Sequence, residues 1–378
     1  MTDKTALYIH IPFCRRRCTY CSFTSYEGRE TDIAAYVDAL IRELALYPSG
    51  LSVGSVYFGG GTPSLISVDQ FDELLSFIRS RFKVDERAEM TIEANPGTVD
   101  DLYLSSIRSL GINRLSLGIQ SLDDGELRIL GRIHTSAEAL RSVSLARDAG
   151  FENINGDIMY GIPSRSKGEW IHMLEDVIDL QLQHLSLYPL TLEGDELLCA
   201  AIQRGEMEPL DADATADQYE LAEYLLGSHG YRHYEISNWA CWGHECKHNM
   251  TYWLMRPYIG IGVSAHSYVD GRRRANTSDL DGYLDSFSSN IRTTCEVEEC
   301  IGPDIELSEA VILGLRLTSG VDTAAIRSRY KVDLIERYGD QVAELAGLGL
   351  IEHSGGSIRL TGRGRLLGNQ VFLRFMPD

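Results

Sequence analysis

Short apolar and β-branched runs alternate with longer segments of helical period from the start of the chain to about residue 188. The runs predict strands over 7–11, 55–58, 90–94, 114–118, 154–159 and 184–189. The longer segments predict helices that include 32–46, 69–81, 136–149 and 167–180. Alternating strands and helices form parallel sheets. We therefore predict an α/β fold and favour an incomplete (β/α)6 barrel, although an open doubly wound sheet has the same periodicity.

The pattern changes in the second half of the chain. An aromatic, Cys/His-rich stretch with a helix over 212–226 predicts an extension packed on the barrel. Three helices, 306–317, 323–330 and 334–348, and two short strands, 350–353 and 357–360, predict a small α+β domain resembling a winged helix. The expected domains are 1–208, 209–302 and 303–378.

Composition narrows the functional class. The chain has 378 residues, of which 44% are hydrophobic, and its formal net charge is -20. An acidic surface repels polyanions, so no nucleic-acid partner is expected, and the basic runs 15–17 and 272–274 are read as solvated surface. We find no apolar stretch of about 18 residues and no secretory signal, so we expect a cytoplasmic protein without a membrane span.

Three of the eight cysteines lie close together after the first predicted strand, in the pattern Cys14-x3-Cys18-x2-Cys21. Three thiolates on a [4Fe-4S] cluster leave one iron open to bind a second molecule. A structural zinc site normally has four protein ligands, and no fourth cysteine or histidine lies close after Cys21. The spacing therefore favours an iron-sulfur cluster, with zinc or reduced loop thiols as the alternative.

Further candidates lie where predicted strands end. Three consecutive glycines follow the second strand, Glu93 ends the third, Gln120 follows the fourth and Asp157 lies in the fifth. The carboxyl ends of parallel strands form the usual site of chemistry in such folds. We expect these residues to face one site together with the cysteines.

These motifs resemble a known family. The segment from Tyr8 to Cys21, together with FGGGTP at 58–63, EANP at 93–96 and GIQS at 118–121, is similar to the heme-related branch of the radical S-adenosylmethionine (SAM) superfamily. That branch contains oxygen-independent coproporphyrinogen III dehydrogenases and heme chaperones. The resemblance covers essentially the whole chain and implies the superfamily's partial barrel, a [4Fe-4S] cluster and SAM, which the cluster can cleave to a 5'-deoxyadenosyl radical.

The resemblance also implies roles for individual residues around SAM. Backbone groups that approach its ammonium would come from Gly60, Gly61 and Thr62. Side chains near its charged end and sulfonium would be Glu93, Gln120 and Arg132. The ribose hydroxyls would bind Asp157, while Tyr20 would pack near the adenine and Tyr8 near the cluster.

Two features separate the chaperones from the dehydrogenases. Dehydrogenases have a further cysteine two positions after the third cluster ligand, where this chain has Phe23. The segment HNMTYW at 248–253 resembles the His-Asn-x-x-Tyr-Trp signature of the chaperones. We therefore expect a heme chaperone, and oxygen-independent coproporphyrinogen III dehydrogenase is the alternative.

The chaperone hypothesis names a heme ligand and partners. His248 is the axial-ligand candidate, and Cys241 and Cys246 are alternatives. The arginines at 272–274 could bind the propionates if the fold brings them close. Expected partners are heme, heme-accepting apoproteins such as respiratory enzymes, an electron donor and a second copy of the chain. Delivery to respiratory enzymes would bring the protein to the membrane surface peripherally.

Two remaining patterns are read as structural. GIGVSA at 260–265 superficially resembles a dinucleotide-binding fingerprint, but the preceding residues make a poor buried strand. Cys295 and Cys300 are expected to be loop thiols.

Overall fold

Twelve strands form one sheet across the residues that the computed structural model describes, 4–191, 197–288 and 295–377. The strands of the described residues, including those outside this sheet, are β1 (Thr5–Ile11), β2 (Phe13–Cys14), β3 (Tyr26–Glu27), β4 (Ser52–Gly60), β5 (Lys83–Ala94), β6 (Arg114–Gln120), β7 (Ile154–Tyr160), β8 (His184–Pro189), β9 (Arg232–Glu235), β10 (Asn238–Ala240), β11 (Tyr258–Ile261), β12 (His266–Val269), β13 (Arg272–Asn276), β14 (Cys295–Cys300), β15 (Val321–Asp322), β16 (Ile351–Ser354) and β17 (Ser357–Leu360).

Helices cover the sheet and form most of the C-terminal region. In chain order they are α1 (Ile33–Leu44), α2 (Val68–Arg81), α3 (Asp101–Ser109), α4 (Asp124–Ile129), α5 (Ser136–Asp148), α6 (Lys167–Asp179), α7 (Leu197–Gln203), α8 (Ala212–Ser228), α9 (Lys247–Trp253), α10 (Leu280–Ser288), α11 (Pro303–Leu315), α12 (Thr323–Tyr330), α13 (Leu334–Gly347), α14 (Gly362–Leu366) and α15 (Gly368–Phe372). Short 3-10 helices cover Glu30–Asp32, Pro63–Leu65 and Leu373–Phe375.

The centre of the sheet is parallel, as the alternating pattern predicts. Strands β1, β4, β5, β6, β7 and β8 pair in parallel in that order, and all six predicted strands are present. Among the described residues no pairing joins the two ends of the sheet, β14 and β9. The prediction of an α/β, incomplete barrel is confirmed.

Local sequence explains where several covering helices begin. Helices α2, α5 and α6 each start with a capping box, in which a Ser or Thr side chain accepts from the third backbone N–H and a Glu or Gln side chain binds back. Such a box satisfies donors that the helix leaves unpaired. The helices' apolar faces then pack on the sheet, so that Leu74, Val143 and Trp170 are fully buried.

The segment 209–302 supplies strands to both edges of the sheet: β9 and β10 beyond β8, and β11 to β14 beyond β1. The sequence pattern did not predict these strands. Residues 251–257, before Gly260, form the end of α9 and a turn rather than a strand, as expected. Gly260 itself lies in a strand that was not predicted, because Tyr258–Ile261 pairs in parallel with β1. Cys295 and Cys300 lie at the ends of β14 rather than in a loop.

The C-terminal region has its own apolar core. Leu315, Leu345, Ile358 and Phe375 are buried in a cluster formed mainly by α11 to α15 and β15 to β17. Strand β17 pairs antiparallel with β16 and β15, which gives the hairpin that the sequence predicts. The division of the chain after residues 208 and 302 stays a prediction.

Candidate functional site

The three clustered cysteines open onto a cavity of about 340 Å³ at the carboxyl ends of the parallel strands. Cys14 ends β2, and Cys18 and Cys21 follow in the loop, where the Cys21 amide donates to the Cys18 carbonyl oxygen at 3.2 Å. The Thr62 hydroxyl lies 3.5 Å from Cys14 Sγ, and Arg132 Nη1 donates to Cys18 Sγ at 3.2 Å. Burial raises the pKa of the Cys14 thiol.

Two glycines bring backbone next to these thiols. A Cβ on Gly60, whose φ is 117°, would lie 2.5 Å from the His10 ring. A Cβ on Gly61 would lie 2.8 Å from the Phe13 carbonyl oxygen and 3.0 Å from Cys14 Sγ. Neither position has room for a side chain, so only glycine gives this close approach.

Glu93 is a half-buried carboxyl group on the cavity wall. Its Oε1 accepts from the Tyr57 hydroxyl at 2.7 Å, and its Oε2 accepts from the Gly60 amide at 3.2 Å. Burial raises the pKa of Glu93 to about 7; Asp157 adds to this rise, while the Tyr57 hydrogen bond and Arg114 oppose it. The site thus contains an acid that is half-protonated near neutral pH.

Asp157 is the second carboxyl group. It accepts from Asn155 Nδ2 at 2.8 Å and from the Ser116 hydroxyl at 3.3 Å. Burial raises its pKa, although these hydrogen bonds oppose the shift. A carboxylate held on a strand end in this way can accept from ligand hydroxyl groups.

Other predicted residues complete the wall. Gln120 has a left-handed φ of 64°, and Arg132 Nη2 donates to the Gly118 carbonyl oxygen at 2.8 Å and also to Asn95 Oδ1. Tyr20 is half-buried beside Arg132, and desolvation raises the pKa of its phenol. The predicted residues that share the cavity are Cys14, Cys18, Cys21, Tyr20, Gly60, Gly61, Thr62, Glu93, Gln120, Arg132 and Asp157.

Several cavity residues were not among the predicted ones. They are Tyr57, Asn95, Arg114, Ser116, Asn155, Ser186 and Tyr188. Alternate residues of a strand point to the same face. Ser116 lies two positions before Gly118 of the GIQS motif, and Asn155 lies two positions before Asp157. The two-residue alternation of strand side chains would therefore have identified Ser116 and Asn155 as cavity residues.

Tyr8 and His248 lie outside the lining of this cavity. The Tyr8 hydroxyl bonds His10 Nδ1 at 3.0 Å, and its ring stacks on that of Tyr57 with centroids 6.2 Å apart. His248, on α9, is 1% exposed. Its Nδ1 bonds the Ser55 hydroxyl at 3.0 Å and its Nε2 bonds the Tyr252 hydroxyl at 2.9 Å, so both ring nitrogens have partners.

The structure also shows the surroundings of the alternative thiol ligands, Cys241 and Cys246, and of the arginines at 272–274. Cys246 is fully buried beside Glu89, and burial raises its pKa to about 12; burial also raises the pKa of the half-buried Cys241. The arginines at 272–274 lie on β13 and form ion pairs with Glu298, Glu299 and Glu309. These arginines therefore already have carboxylate partners.

The thiol donors of the cavity fit an iron-sulfur cluster. Among the described residues, no three His, Cys, Asp or Glu side chains are close enough to hold one metal ion. The three thiols nevertheless line one cavity and influence each other electrostatically. Thiols spaced around a cavity suit a four-iron cube, which is larger than one ion.

Comparisons with known proteins agree over the full length. The Radical SAM superfamily model matches residues 8–177, and the HemN C-terminal domain model matches 303–367. The chain is 35% identical to heme chaperone HemW of Lactococcus lactis, covering 100% of this chain and 99% of that protein. It is 39% identical to the mitochondrial radical S-adenosyl methionine domain-containing protein 1 of Mus musculus, covering 100% of this chain and 88% of the relative.

A solved structure has the same fold. The coproporphyrinogen III oxidase HemN of Escherichia coli superposes with a TM-score of 0.86 at 23% identity, covering 99% of this chain and 90% of that one. At this identity the likeness concerns the fold alone. Heme chaperone HemW of the same organism is 40% identical over 74% of this chain and 75% of its own length.

Proposed function

Because the chain belongs to the heme chaperone HemW family within the radical SAM superfamily, we propose that it binds heme and transfers it to acceptor proteins. The observation that carries this proposal is identity of 33–40% to heme chaperones, in several cases across almost the whole chain. The replacement of the dehydrogenases' extra cysteine by Phe23 supports it over porphyrinogen oxidation.

The cavity would hold the two cofactors of the superfamily. Cys14, Cys18 and Cys21 would bind a [4Fe-4S] cluster, which supplies one-electron chemistry to SAM when both are bound. Two observations support this assignment. The three thiols line one cavity, and the backbone at Gly60 and Gly61, where a side chain would have no room, lines it beside them.

SAM would occupy the remaining cavity beside the thiols. Gly60, Gly61 and Thr62 would offer backbone to its ammonium, and Glu93, Gln120 and Arg132 would bind its charged end. Asp157 would accept from its ribose hydroxyls, and Tyr20 would pack against the adenine. Tyr8 does not line the cavity, but its ring would support the position of Tyr57, on which it stacks and which does line the cavity.

Cosubstrate affinity should increase with pH as the Glu93 carboxyl group ionises around its pKa of about 7. Binding a cation next to the carboxylate would expel the proton, so affinity should fall by up to about tenfold for each pH unit below that pKa. Equilibrium binding of SAM to anaerobically reconstituted protein, from about pH 5.5 to about pH 8.5, measures this dependence. Glu93→Gln should bind SAM weakly and without the pH dependence; an identical slope in both proteins would assign the titration to another group.

The assignment of His248 as the heme ligand stays a prediction. The hydrogen bonds of its imidazole limit how it could bind iron. For either ring nitrogen to reach iron, the imidazole would have to release Ser55 or Tyr252. Burial, reinforced by Arg114, lowers the pKa of His248 to about 3, so the ring is neutral at physiological pH.

The partners that we propose are apoproteins of respiratory enzymes, an electron donor for the cluster, and a second copy of the chain. We propose that the protein acts in the cytoplasm and associates peripherally with the membrane surface when it delivers heme. No helix among the described residues has the length and apolar character needed to cross a bilayer.

One preparation tests the function. Full-length protein, reconstituted anaerobically with iron and sulfide, is titrated with hemin and then mixed with an apoglobin as a general heme acceptor. A parallel sample receives coproporphyrinogen III, SAM and a reductant. We expect stoichiometric heme binding, transfer to the apoglobin and no decarboxylation; turnover of the porphyrinogen without heme binding would instead identify a dehydrogenase.

A further inference from the structure

A second cavity lies on the other side of the segment that follows Cys21. It has a volume of about 420 Å³ and opens to solvent. We call it the aromatic groove, and its lining residues are Tyr8, His10, Ser22, Phe23, Thr24, Tyr252, Tyr258, Ser264 and His266. We infer that this groove is the heme site and that His266 is the iron ligand, an inference that rests on the proposed heme-chaperone function.

His266 has the properties that an iron ligand needs. It begins β12, its side chain is exposed, and it forms no side-chain hydrogen bond, ion pair or ring contact within the described part of the chain. His10 and His248, by contrast, are buried with both ring nitrogens bonded. A neutral imidazole nitrogen free to coordinate is the commonest protein ligand to heme iron.

The groove also offers flat apolar surface to a macrocycle. The rings of Tyr252 and Tyr258 pack edge to face with centroids 4.7 Å apart, and Phe23 is 66% exposed. Large aromatic side chains next to a histidine provide both stacking area and a metal ligand. Heme is the ligand of the proposed function that combines a flat apolar ring with a metal that binds imidazole.

This arrangement gives His248 a different role from the predicted one. Its Nε2 bonds the hydroxyl of Tyr252, which lines the aromatic groove. The helix α9 and the bond from Ser55 hold the imidazole in place. His248 is therefore a positioning residue, which fixes the Tyr252 ring on the groove wall without touching iron.

The aromatic groove and the cavity with the thiols share a wall. Ser22 and Phe23 line both of them and directly follow Cys21. The next residue, Thr24, is held by two hydrogen bonds. Its carbonyl oxygen accepts from His10 Nε2 at 2.9 Å, and its hydroxyl donates to the Ser264 hydroxyl at 2.9 Å. Heme in the groove would therefore contact the same segment that carries a cluster ligand.

Hemin titration of reconstituted full-length variants tests the groove. We expect His266→Ala to weaken hemin binding at least tenfold and to lose the absorption and paramagnetic signature of histidine ligation. Added imidazole should restore that signature. His353→Ala, which removes an exposed strand histidine in the C-terminal hairpin, is the matched control and should bind like the unmodified protein.

His248→Ala separates positioning from ligation. It should lower affinity but keep the ligand signature that His266→Ala loses. Wild-type affinity and spectrum in His266→Ala, or loss of the signature only in His248→Ala, would overturn the groove assignment and leave the heme-chaperone function intact. Absence of hemin binding by the unmodified protein would overturn both.

Discussion

Replacing Cys14, Cys18 or Cys21 by alanine should abolish the four-iron absorption and paramagnetic signals of anaerobically reconstituted protein. Each substitution leaves the cluster with two protein thiolates, and no spare cysteine lines the cavity among the described residues. A cube with two open irons is exposed to solvent and to loss of iron. Iron and sulfide content, measured with the two spectra, should fall to background.

Cys300→Ala is the matched control for cluster loss. Cys300 is an exposed free cysteine at the end of β14 and does not line the cavity. It should retain full iron content and the spectral change on adding SAM. If a cluster-cysteine variant kept wild-type iron content and that same spectral response, the assignment of these thiols as ligands would be wrong.

Trp170→Ala should reduce the free energy of unfolding by about 3–5 kcal/mol, the usual loss for a large buried aromatic. Trp170 is fully buried where α6 packs on the sheet, and its Nε1 donates to the Gln218 carbonyl oxygen at 2.8 Å. The Arg165 guanidinium carbon lies 5.0 Å from its ring centroid. Alanine would leave a cavity and remove the donor to the Gln218 carbonyl oxygen, while Arg165 would lose its ring contact but keep its ion pair with Glu126.

Denaturant unfolding of Trp170→Ala and Trp242→Ala together checks this value. Trp242 is 78% exposed and contacts the Arg232 guanidinium, so its loss should cost less than about 1 kcal/mol. Equal destabilisation by the two substitutions would mean that the packing of α6 contributes less than its burial indicates.

Local pattern was sufficient for the centre of the fold. The six predicted strands are buried runs whose neighbours in sequence are helices, and parallel pairing follows from that alternation. The site residues Glu93, Gln120 and Asp157 were found for the same reason, because the ends of parallel strands meet at one edge of the sheet.

The edges of the sheet were not predictable in the same way. Strand β11 has four residues, and its pairing with β1 depends on a partner about 250 residues earlier in the chain. Periodicity reports only local neighbours, so a short strand next to glycines and a proline resembles a loop. The strands β12 to β14 then continue from β11 and were missed with it.

By itself, the sequence determined the α/β class, the three clustered thiols, the glycines beside them and the acids at the strand ends, because each of these depends on spacing within one segment. Only the tertiary structure decided which histidine faces an open aromatic surface. His248 stands in the conspicuous motif but is buried with both nitrogens bonded, whereas His266 reaches the groove through the pairing of β11 with β1 and β12. Solvent access and free coordination sites depend on contacts between distant segments, which no local pattern encodes.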